Sequence, residues 1–470
     1  MPDTATAPLR PAMNLPDATA AARVARTHRL LNGPIGPTLA RLAAPNVLAM
    51  FVTSVTSIAE AYFAGRMGVN ALAGLALVFP LMMLTQMLAA GAMGGAISAA
   101  VARALGGGDT ARASGLTLAA WIIGVVAAAG SAVLMALFGR AVFTALGGDA
   151  AAVAAALSYA GVFFPGCIAL WLCHASLSVI RGTGNMAMPS LLLFVVSLGS
   201  IPVSGALALG WGPFPAWGMA GLAAGLIVSN GAAGLVAMAM LLAGRMGLSM
   251  DGALSRLRGE MFRDILRVGV IASVNSAQSV LTIVLMVALV GRFGTAALAG
   301  YGLGARLEFL MIPVVFGIGA AMTSMVGANI GAGNTARALR VAWTGAIAAA
   351  VIVGGIGALV AVFPDLWLRI FLDASDTATL EVGRAYFRTV APFYAFFGLG
   401  LALFFASQGA ARMMWPVMAS LFRMAVAFGV ALLLIQVTDL GVRGVFIGVA
   451  SGMLVYGVVT AAAVWITRWR

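Results

Sequence analysis

The chain has little charge and few of the residues that soluble enzymes use for chemistry. Its 470 residues include no lysine, two cysteines, two histidines and 14 acidic residues, and charged residues make up 9%. Cys167 and Cys173 lie in one apolar stretch, which gives no basis for a disulfide or a metal site. The sequence has no phosphate-binding glycine loop, zinc-ligand spacing or Ser-His-Asp arrangement. These absences argue against an ATP-driven pump and against hydrolysis, and we expect no cofactor.

Apolar residues dominate instead, at 62% of the chain. A soluble protein could not cover so much apolar surface. Twelve stretches are long enough to cross a bilayer core of roughly 30 Å. The composition therefore predicts an all-α polytopic membrane protein embedded in the lipid bilayer. The predicted spans are 38–64, 70–98, 115–138, 153–179, 188–210, 216–243, 267–290, 297–325, 341–363, 384–406, 416–436 and 444–467.

The net charge of +13 comes from arginines that lie mostly in short connections and tails. This distribution sets membrane topology and is not that of a nucleic-acid-binding surface. Arginines concentrate in the N-terminal tail and after even-numbered spans, so the positive-inside rule predicts that both termini are cytoplasmic. We expect a flexible cytoplasmic tail (1–35), an N-lobe (36–244), a cytoplasmic linker (245–266) and a C-lobe (267–470).

The two lobes carry copies of the same motifs. The matches, 223 to 227 residues apart, are Gly65-Arg66-Met67-Gly68 with Gly291-Arg292-Phe293-Gly294, Ala71-Leu72-Ala73-Gly74 with Ala297-Leu298-Ala299-Gly300, Gly182 with Gly409, Pro189 with Pro416, and Gly221 with Gly444. Six spans separate equivalent points, and this even number places both lobes the same way up. A pseudo-two-fold axis along the membrane normal, with a central cavity between two six-helix lobes, is the prediction.

Only two acids fall well inside the predicted spans, Glu60 and Glu308. Such residues usually face a cavity and handle ions or protons, because an ionised group in hydrocarbon costs several kcal/mol. Glu60 ends a polar stripe along one face of the first span. The other members of this stripe are Asn46, Thr53, Thr56 and Ser57. We expect Glu60 to couple transport to protons or another cation; a structural glutamate paired with a polar neighbour is the alternative.

The second lobe repeats the stripe without the acid, because Met286 occupies the position equivalent to Glu60. The polar residues near it are Asn275, Gln278, Ser279 and Thr282. This lobe also has a charged group formed by Arg306, Glu308 and Arg423. Residues two apart on a helix do not face each other, so Glu308 is predicted to form a buried ion pair with Arg423 rather than with Arg306. A coupling role for Glu308 is the alternative. His174 in the fourth span is either a proton relay or a structural group.

Several motifs together resemble the multidrug and toxic compound extrusion (MATE) family, in its bacterial DinF-like or related branches. They run in order through residues 38–467 and include Arg41-Leu42-Ala43-Ala44-Pro45, Arg181-Gly182-Thr183-Gly184, Gly304-Ala305-Arg306-Leu307-Glu308 and Ser407-Gln408-Gly409. The resemblance implies two six-helix lobes in the bacterial inner membrane. It also implies export of amphipathic, often cationic small organic molecules in exchange for protons or sodium. The first-span carboxylate of the family, usually Asp, falls on Glu60.

The chain departs from the family pattern at other acids. Where the fifth span of many members has an Asn and an Asp, this sequence has Ser200 and Ser204. The seventh- and tenth-span acids of the sodium-coupled branch have no match, which favours protons. We expect a monomer. A lipid-linked precursor flippase is the alternative, although its cavity would need more positive charge than Arg306 and Arg423 supply; a membrane scaffold or receptor is a further one.

Overall fold

The computed structural model describes residues 15–373 and 375–469, and it confirms the prediction of a polytopic helical protein. Within these residues, twelve helices are long and apolar enough to cross a membrane. They are α1 (Ile35–Met67), α2 (Val69–Gly106), α3 (Thr110–Ala145), α4 (Ala150–Gly182), α5 (Ala187–Leu209), α6 (Gly218–Leu242), α7 (Gly259–Gly291), α8 (Thr295–Gly331), α9 (Thr335–Val362), α10 (Thr377–Gly409), α11 (Met414–Val437) and α12 (Val442–Thr467).

The helices form two lobes. Helices α1–α6 pack mainly on one another, with α4 against α3 and α6, and α5 against α1 and α6. Helices α7–α12 form the second lobe, in which α10 packs against α8, α9 and α12. The lobes meet where α8 packs on α1 and α2, and where α7 packs on the middle of α2. A cavity remains between the lobes beyond these contacts.

The repeated Gly-Arg-x-Gly motif forms the same turn in each lobe. Gly68 joins α1 to α2 at a φ of +113°, and Gly294 joins α7 to α8 at a φ of +95°. Glycine favours this left-handed region because it has no Cβ. Six residues later, Gly74 packs closely on Ala155 of α4, and Gly300 packs in the same way on Val382 of α10. The motif therefore builds an equivalent tight helix–helix contact in both lobes.

One end of the lobe interface is tightly closed. We call this end the arginine-rich side, because it carries the connections after α2, α4, α6, α8 and α10. A Cβ added to Gly106 of α2 would overlap the backbone of Ala328 in α8, and one added to Gly331 of α8 would overlap the backbone of Arg103 in α2. Each of these two contacts is the symmetry-related copy of the other. A pseudo-two-fold axis between the lobes requires such a pair of contacts.

Two expectations about the polar segments need correction. Residues Leu15–Asn32 form a helix rather than a flexible tail; residues 1–14 lie outside the described part of the chain. Its Leu30 is buried, and the carbonyl of Leu30 accepts a hydrogen bond from Asn329 Nδ2 of α8 (3.1 Å). Arg26 donates to the carbonyl of Met246 in the interlobe connection (3.4 Å). Buried apolar contact and hydrogen bonds to α8 and to the interlobe connection hold this segment in place.

The interlobe connection is also shorter than the predicted 245–266. Helix α6 ends at Leu242 and α7 begins at Gly259. Glu260 lies in the first turn of α7, where the helix dipole favours an acid. Asp264 pairs with Arg112 of α3, so part of the charge that indicated a linker belongs to a helix.

Candidate functional site

A cavity of about 330 Å³ lies between the lobes. This volume is within the usual range of small-molecule sites, about 300–1,000 Å³. Residues of both lobes line it, from Thr53 and Glu60 in α1 to Tyr456 in α12. Ser57, which also lines it, is exposed. The close contact at Gly106 and Gly331 separates it from the arginine-rich side.

The walls of the cavity are largely apolar and of two kinds. On the C-lobe side they include the rings of Phe316 and Phe405, whose centroids are 5.3 Å apart in an edge-to-face arrangement. On the N-lobe side they include Met50, Met83 and Met87. Aromatic faces give stacking area, and flexible thioethers adapt to ligands of different shape. The cavity is suited to an amphipathic organic molecule with a planar part.

Glu60 is buried in the N-lobe wall of the cavity, with 6% of its surface exposed. The hydroxyl of Tyr159 in α4 lies near its carboxyl group. Neither Glu60 Oε1 nor the Tyr159 hydroxyl has a hydrogen-bond partner among the described residues. Among these residues, the carboxyl also has no ion-pair partner within 4.0 Å. The position leaves an oxygen of Glu60 free to accept a proton or a cation.

The polar stripe of α1 divides into two parts. Thr53, Thr56 and Ser57 line the cavity with Glu60. The Thr56 hydroxyl donates to the carbonyl of Ser197 in α5 (3.1 Å). Asn46 is not among the lining residues: its Oδ1 accepts a hydrogen bond from the Ser190 hydroxyl (2.8 Å). Asn46 therefore fastens α1 to α5 and is corrected from a cavity residue to a structural one.

Of the two serines of α5, one lines the cavity and the other contacts a neighbouring helix. Ser200 lines the cavity, and its hydroxyl donates to the carbonyl of Ser197 (3.0 Å). Ser204 is turned toward α6 and donates to the carbonyl of Leu222 (3.3 Å). Only Ser200 is positioned to contact a ligand. Residues four apart lie on the same face of a helix, so the two serines differ by one turn along α5, and α6 covers the turn that holds Ser204.

In α7, Asn275 and Ser279 line the cavity, but Gln278 and Thr282 do not. Gln278 Nε2 donates to the Thr282 hydroxyl (2.6 Å), and both residues are buried. They lie about a quarter-turn round the helix from the lining face, as expected at 3.6 residues per turn. Their inclusion among the candidate site residues is therefore corrected. Met286 is buried and is also absent from the lining residues.

The predicted ion pair between Glu308 and Arg423 does not form. Both residues line the cavity, but no nitrogen–oxygen distance between them is 4.0 Å or less. Glu308 Oε1 accepts a hydrogen bond from the Tyr386 hydroxyl of α10. The Arg423 guanidinium instead lies over the rings of Phe397 (5.2 Å) and Tyr456 (5.6 Å). The acid is therefore stabilised by a tyrosine hydroxyl, and the guanidinium is stabilised by two aromatic faces.

Arg306 lies outside the cavity, contrary to its placement in a central charged group. Its side chain is exposed, and its guanidinium lies 5.9 Å from the centroid of the Phe371 ring. Residues Arg306 and Glu308, two apart on α8, point in different directions, as helical geometry requires. Among the described residues that line the cavity, Arg423 is therefore the one arginine.

The lining residues that were not identified as site residues from the sequence include Gln86, Asn230 and Phe316. His174 lines the cavity too, and its Nδ1 has no hydrogen-bond partner among the described residues. The sequence did contain a signal for the tyrosines beside the acids, because Tyr159 and Tyr386 are equivalent positions 227 residues apart. Among the described residues, no three His, Cys, Asp or Glu side chains form a group that could hold a metal ion.

A bundle of twelve membrane-spanning helices, in two similar lobes around a central cavity, is the architecture of a secondary transporter. The family model described as MatE matches residues 45–204 and 271–433. These ranges cover more than half of the chain, and the chain belongs to the MatE family.

Several similar proteins are named as transporters or multidrug resistance proteins. The probable multidrug resistance protein NorM of Deinococcus radiodurans is 26% identical over 437 residues, 89% of this chain and 92% of the relative. The FAD transporter of Shewanella oneidensis is 23% identical over 312 residues, 66% of this chain and 69% of the relative. The probable multidrug resistance protein YoeA of Bacillus subtilis is 26% identical over 310 residues, 64% of this chain and 66% of the relative.

Solved structures share the fold. A MATE transporter in its bent conformation superposes with a TM-score of 0.86 at 22% identity, over 94% of this chain and 97% of that one. A MOP superfamily transporter from Pyrococcus furiosus gives a TM-score of 0.85 at 22% identity, with the same coverage of both chains. An outward-facing multidrug resistance MATE transporter gives 0.82 at 22% identity, again over 94% and 97%. These similarities support the two-lobe fold.

Proposed function

We propose that this protein exports amphipathic organic compounds, often cationic, in exchange for protons by alternating access. The buried, unpartnered carboxyl oxygen of Glu60 in the cavity wall is the observation that carries the proposal. The apolar, methionine- and aromatic-lined cavity suits substrates of varied shape. The relatives named as multidrug resistance proteins support the same substrate class. Sodium is the other candidate coupling ion.

The side on which the cavity opens supports a specific order of steps in the transport cycle. By the positive-inside rule we infer that the arginine-rich side and both termini face the cytoplasm of a bacterial cell, so that the cavity, which is closed on that side, opens toward the exterior. In that state Glu60 takes up a proton, which disfavours bound substrate. The lobes then rock, the proton leaves toward the cytoplasm, and substrate binds again. Coupling requires only that the proton and the substrate weaken each other's binding.

The lining residues weaken the alternative of a lipid-linked precursor flippase. A pyrophosphate group calls for several cations, whereas Arg423 is the one arginine among the described lining residues and is stacked on two rings. A monomer suffices for the proposed cycle, because one chain contains both lobes. The relative named as an FAD transporter adds a flavin dinucleotide to the substrates that need testing.

Efflux from proteoliposomes tests the proposal. Purified protein is reconstituted, and export of ethidium and of FAD is measured under an imposed proton gradient or sodium gradient. Glu60→Gln should lose proton-driven export, because the amide cannot take up the proton, and its binding of ethidium should no longer depend on pH. Glu381→Gln, a change of the same kind at an exposed position, should export like the wild type. Unimpaired proton-driven export by Glu60→Gln would reject the coupling role, and export driven by sodium alone would identify the other ion. A complete lack of flux would favour a scaffold or receptor.

A further inference from the structure

A second cavity, a groove of about 1040 Å³, opens on the side opposite the arginine-rich side. The ends of α9, α10 and α12 and the connection after α9 form it. Its polar lining includes Asp365, Arg369, Arg384, Arg388 and Arg443. The groove is separate from the central cavity and shares no lining residue with it. It therefore requires an explanation of its own.

The arginines of the groove are only partly neutralised. Arg384 makes a two-pronged hydrogen bond to Asp365, with both nitrogen–oxygen distances 2.7 Å. Arg369 lies 3.4 Å from the same carboxylate. Arg388 and Arg443 are exposed and have no ion-pair partner among the described residues. With Glu381 as the other acid, the groove holds four arginines and two carboxylates.

Membrane topology does not account for this excess of positive charge. The positive-inside rule concentrates arginine on the opposite side of the protein, and the sequence follows it there. Four arginines that converge in one groove on the side with fewer arginines therefore favour a local electrostatic role. Guanidinium groups bind phosphate through paired, charge-assisted hydrogen bonds, which makes phosphate the natural complement.

Apolar side chains border the same groove. Val362, Phe363 and Leu366 are 66%, 57% and 60% exposed, and all three line it. They lie at the end of a membrane-spanning helix, where the polar headgroups of a bilayer meet its acyl chains. A ligand that complements both the arginines and this rim has an anionic head and a hydrocarbon tail.

We propose that the groove binds the phosphate of a phospholipid from the leaflet on that side. Arg388 and Arg443 contact the phosphate, and the acyl chains lie over Phe363 and Leu366. The Arg384–Asp365 pair shapes the floor of the groove and leaves the other two guanidinium groups available. This site is independent of the central cavity and of what the cavity transports.

Native mass spectrometry of the delipidated protein with phosphatidylglycerol tests the site. We expect Arg388→Gln combined with Arg443→Gln to weaken the first binding event about tenfold or more, from the loss of two arginines at a membrane surface. The lysine substitutions Arg388→Lys and Arg443→Lys keep the charge and should retain most of the affinity. Arg140→Gln with Arg292→Gln removes two exposed arginines from the same side outside the groove, and should bind like the wild type.

The remaining outcomes separate the possible ligands. Equal affinity of the groove double variant and the wild type overturns the proposal, as does equal binding of diacylglycerol, which lacks phosphate. If glycerol 3-phosphate binds the wild type as tightly as phosphatidylglycerol does, the ligand is a free phosphate ester and the lipid assignment is wrong. Unchanged melting temperatures of the lipid-free variants establish that they fold.

Discussion

The hydroxyl oxygens of Ser98 and Ser324 lie 3.2 Å apart, across the interface between the lobes. The two residues are equivalent positions of the repeat, 226 residues apart. Equivalent atoms of two related lobes can approach this closely only near their symmetry axis. The hydrogen bond therefore marks the pseudo-two-fold axis, and it lies where α2 and α8 close the cavity from the arginine-rich side. Any motion that opens this side must separate the two serines.

A cross-link at the axis should arrest the protein in the described state. We expect Ser98→Cys with Ser324→Cys, in a background with Cys167 and Cys173 replaced by alanine, to form a disulfide on oxidation. Export from proteoliposomes should then fall to background and recover on addition of a reductant. Each single cysteine variant, treated identically, should keep its activity. Full activity of the oxidised double variant, with the cross-link shown by mass spectrometry, would mean that α2 and α8 do not separate during transport.

The close contacts at Gly106 and Gly331 predict that a methyl group at either position opens the arginine-rich side. In each case the added Cβ meets the backbone of the opposite lobe, which cannot move aside as a side chain can. Overpacking of this kind costs about 1–3 kcal/mol, which changes the equilibrium between the closed and open states by roughly 5- to 150-fold. The labelling rate of a cysteine at Ser98 should rise in Gly106→Ala and in Gly331→Ala by similar factors.

Gly130→Ala supplies the control, because Gly130 lies in α3 with no atom within 4 Å of an added Cβ. Its labelling rate at Ser98 should match that of the parent protein. A higher labelling rate in Gly106→Ala without a higher rate in Gly331→Ala would show that the two glycine contacts do not close the arginine-rich side equally.

Most of the architecture could be predicted from the sequence, because it follows from apolar length and from the repeat. Twelve spans and two lobes of the same orientation follow from these features alone. The helix Leu15–Asn32 could not be predicted in the same way. Its sequence has a weak apolar pattern, and its order depends on contacts such as those of Leu30 and Asn329, which bring together distant parts of the chain.

The site was predicted less completely, because a polar stripe does not reveal which of its members a neighbouring helix covers. Asn46 and Ser204 satisfied the spacing rules yet make hydrogen bonds between helices. The expected partner of Glu308 was wrong for a related reason. Charge alone suggested Arg423, whereas the fold places a tyrosine hydroxyl beside the acid and aromatic rings beside the arginine.

Gln408 of α10 fastens the lobes through an irregular turn of α2, and its loss should destabilise the described state. Its Nε2 donates to the carbonyls of Gly91 (3.1 Å) and Ala92 (3.0 Å), in the π-helical segment Met87–Met93. Gln408→Ala removes both hydrogen bonds from a buried site, at a cost of about 1–3 kcal/mol. We expect a melting temperature several degrees lower in detergent. Gln86→Ala, the same change at a half-buried cavity residue, should have a smaller effect. Equal melting temperatures of the two variants would show that the bonds to the π-helical turn contribute nothing.

The pair of Asp365 and Arg384 predicts a stability difference that disappears in acid. The hydrogen-bonded Arg384 guanidinium holds the pKa of Asp365, in the connection after α9, below its ordinary value. A carboxyl whose pKa is lowered by folding adds stability above its unfolded pKa, about 3.9, and loses it as the pH falls through the folded value.

Asp365→Asn should therefore melt below the wild type at pH 7, and the difference should vanish as the pH is lowered below about 4. The difference should be small because both side chains are partly exposed, and it should shrink further in 1 M salt, where the Debye length is about 3 Å. Asp373→Asn, a neutralisation in the same connection, serves as the control. A difference between Asp365→Asn and the wild type that persists unchanged through pH 3 would show that Asp365 acts through its shape rather than through its charge.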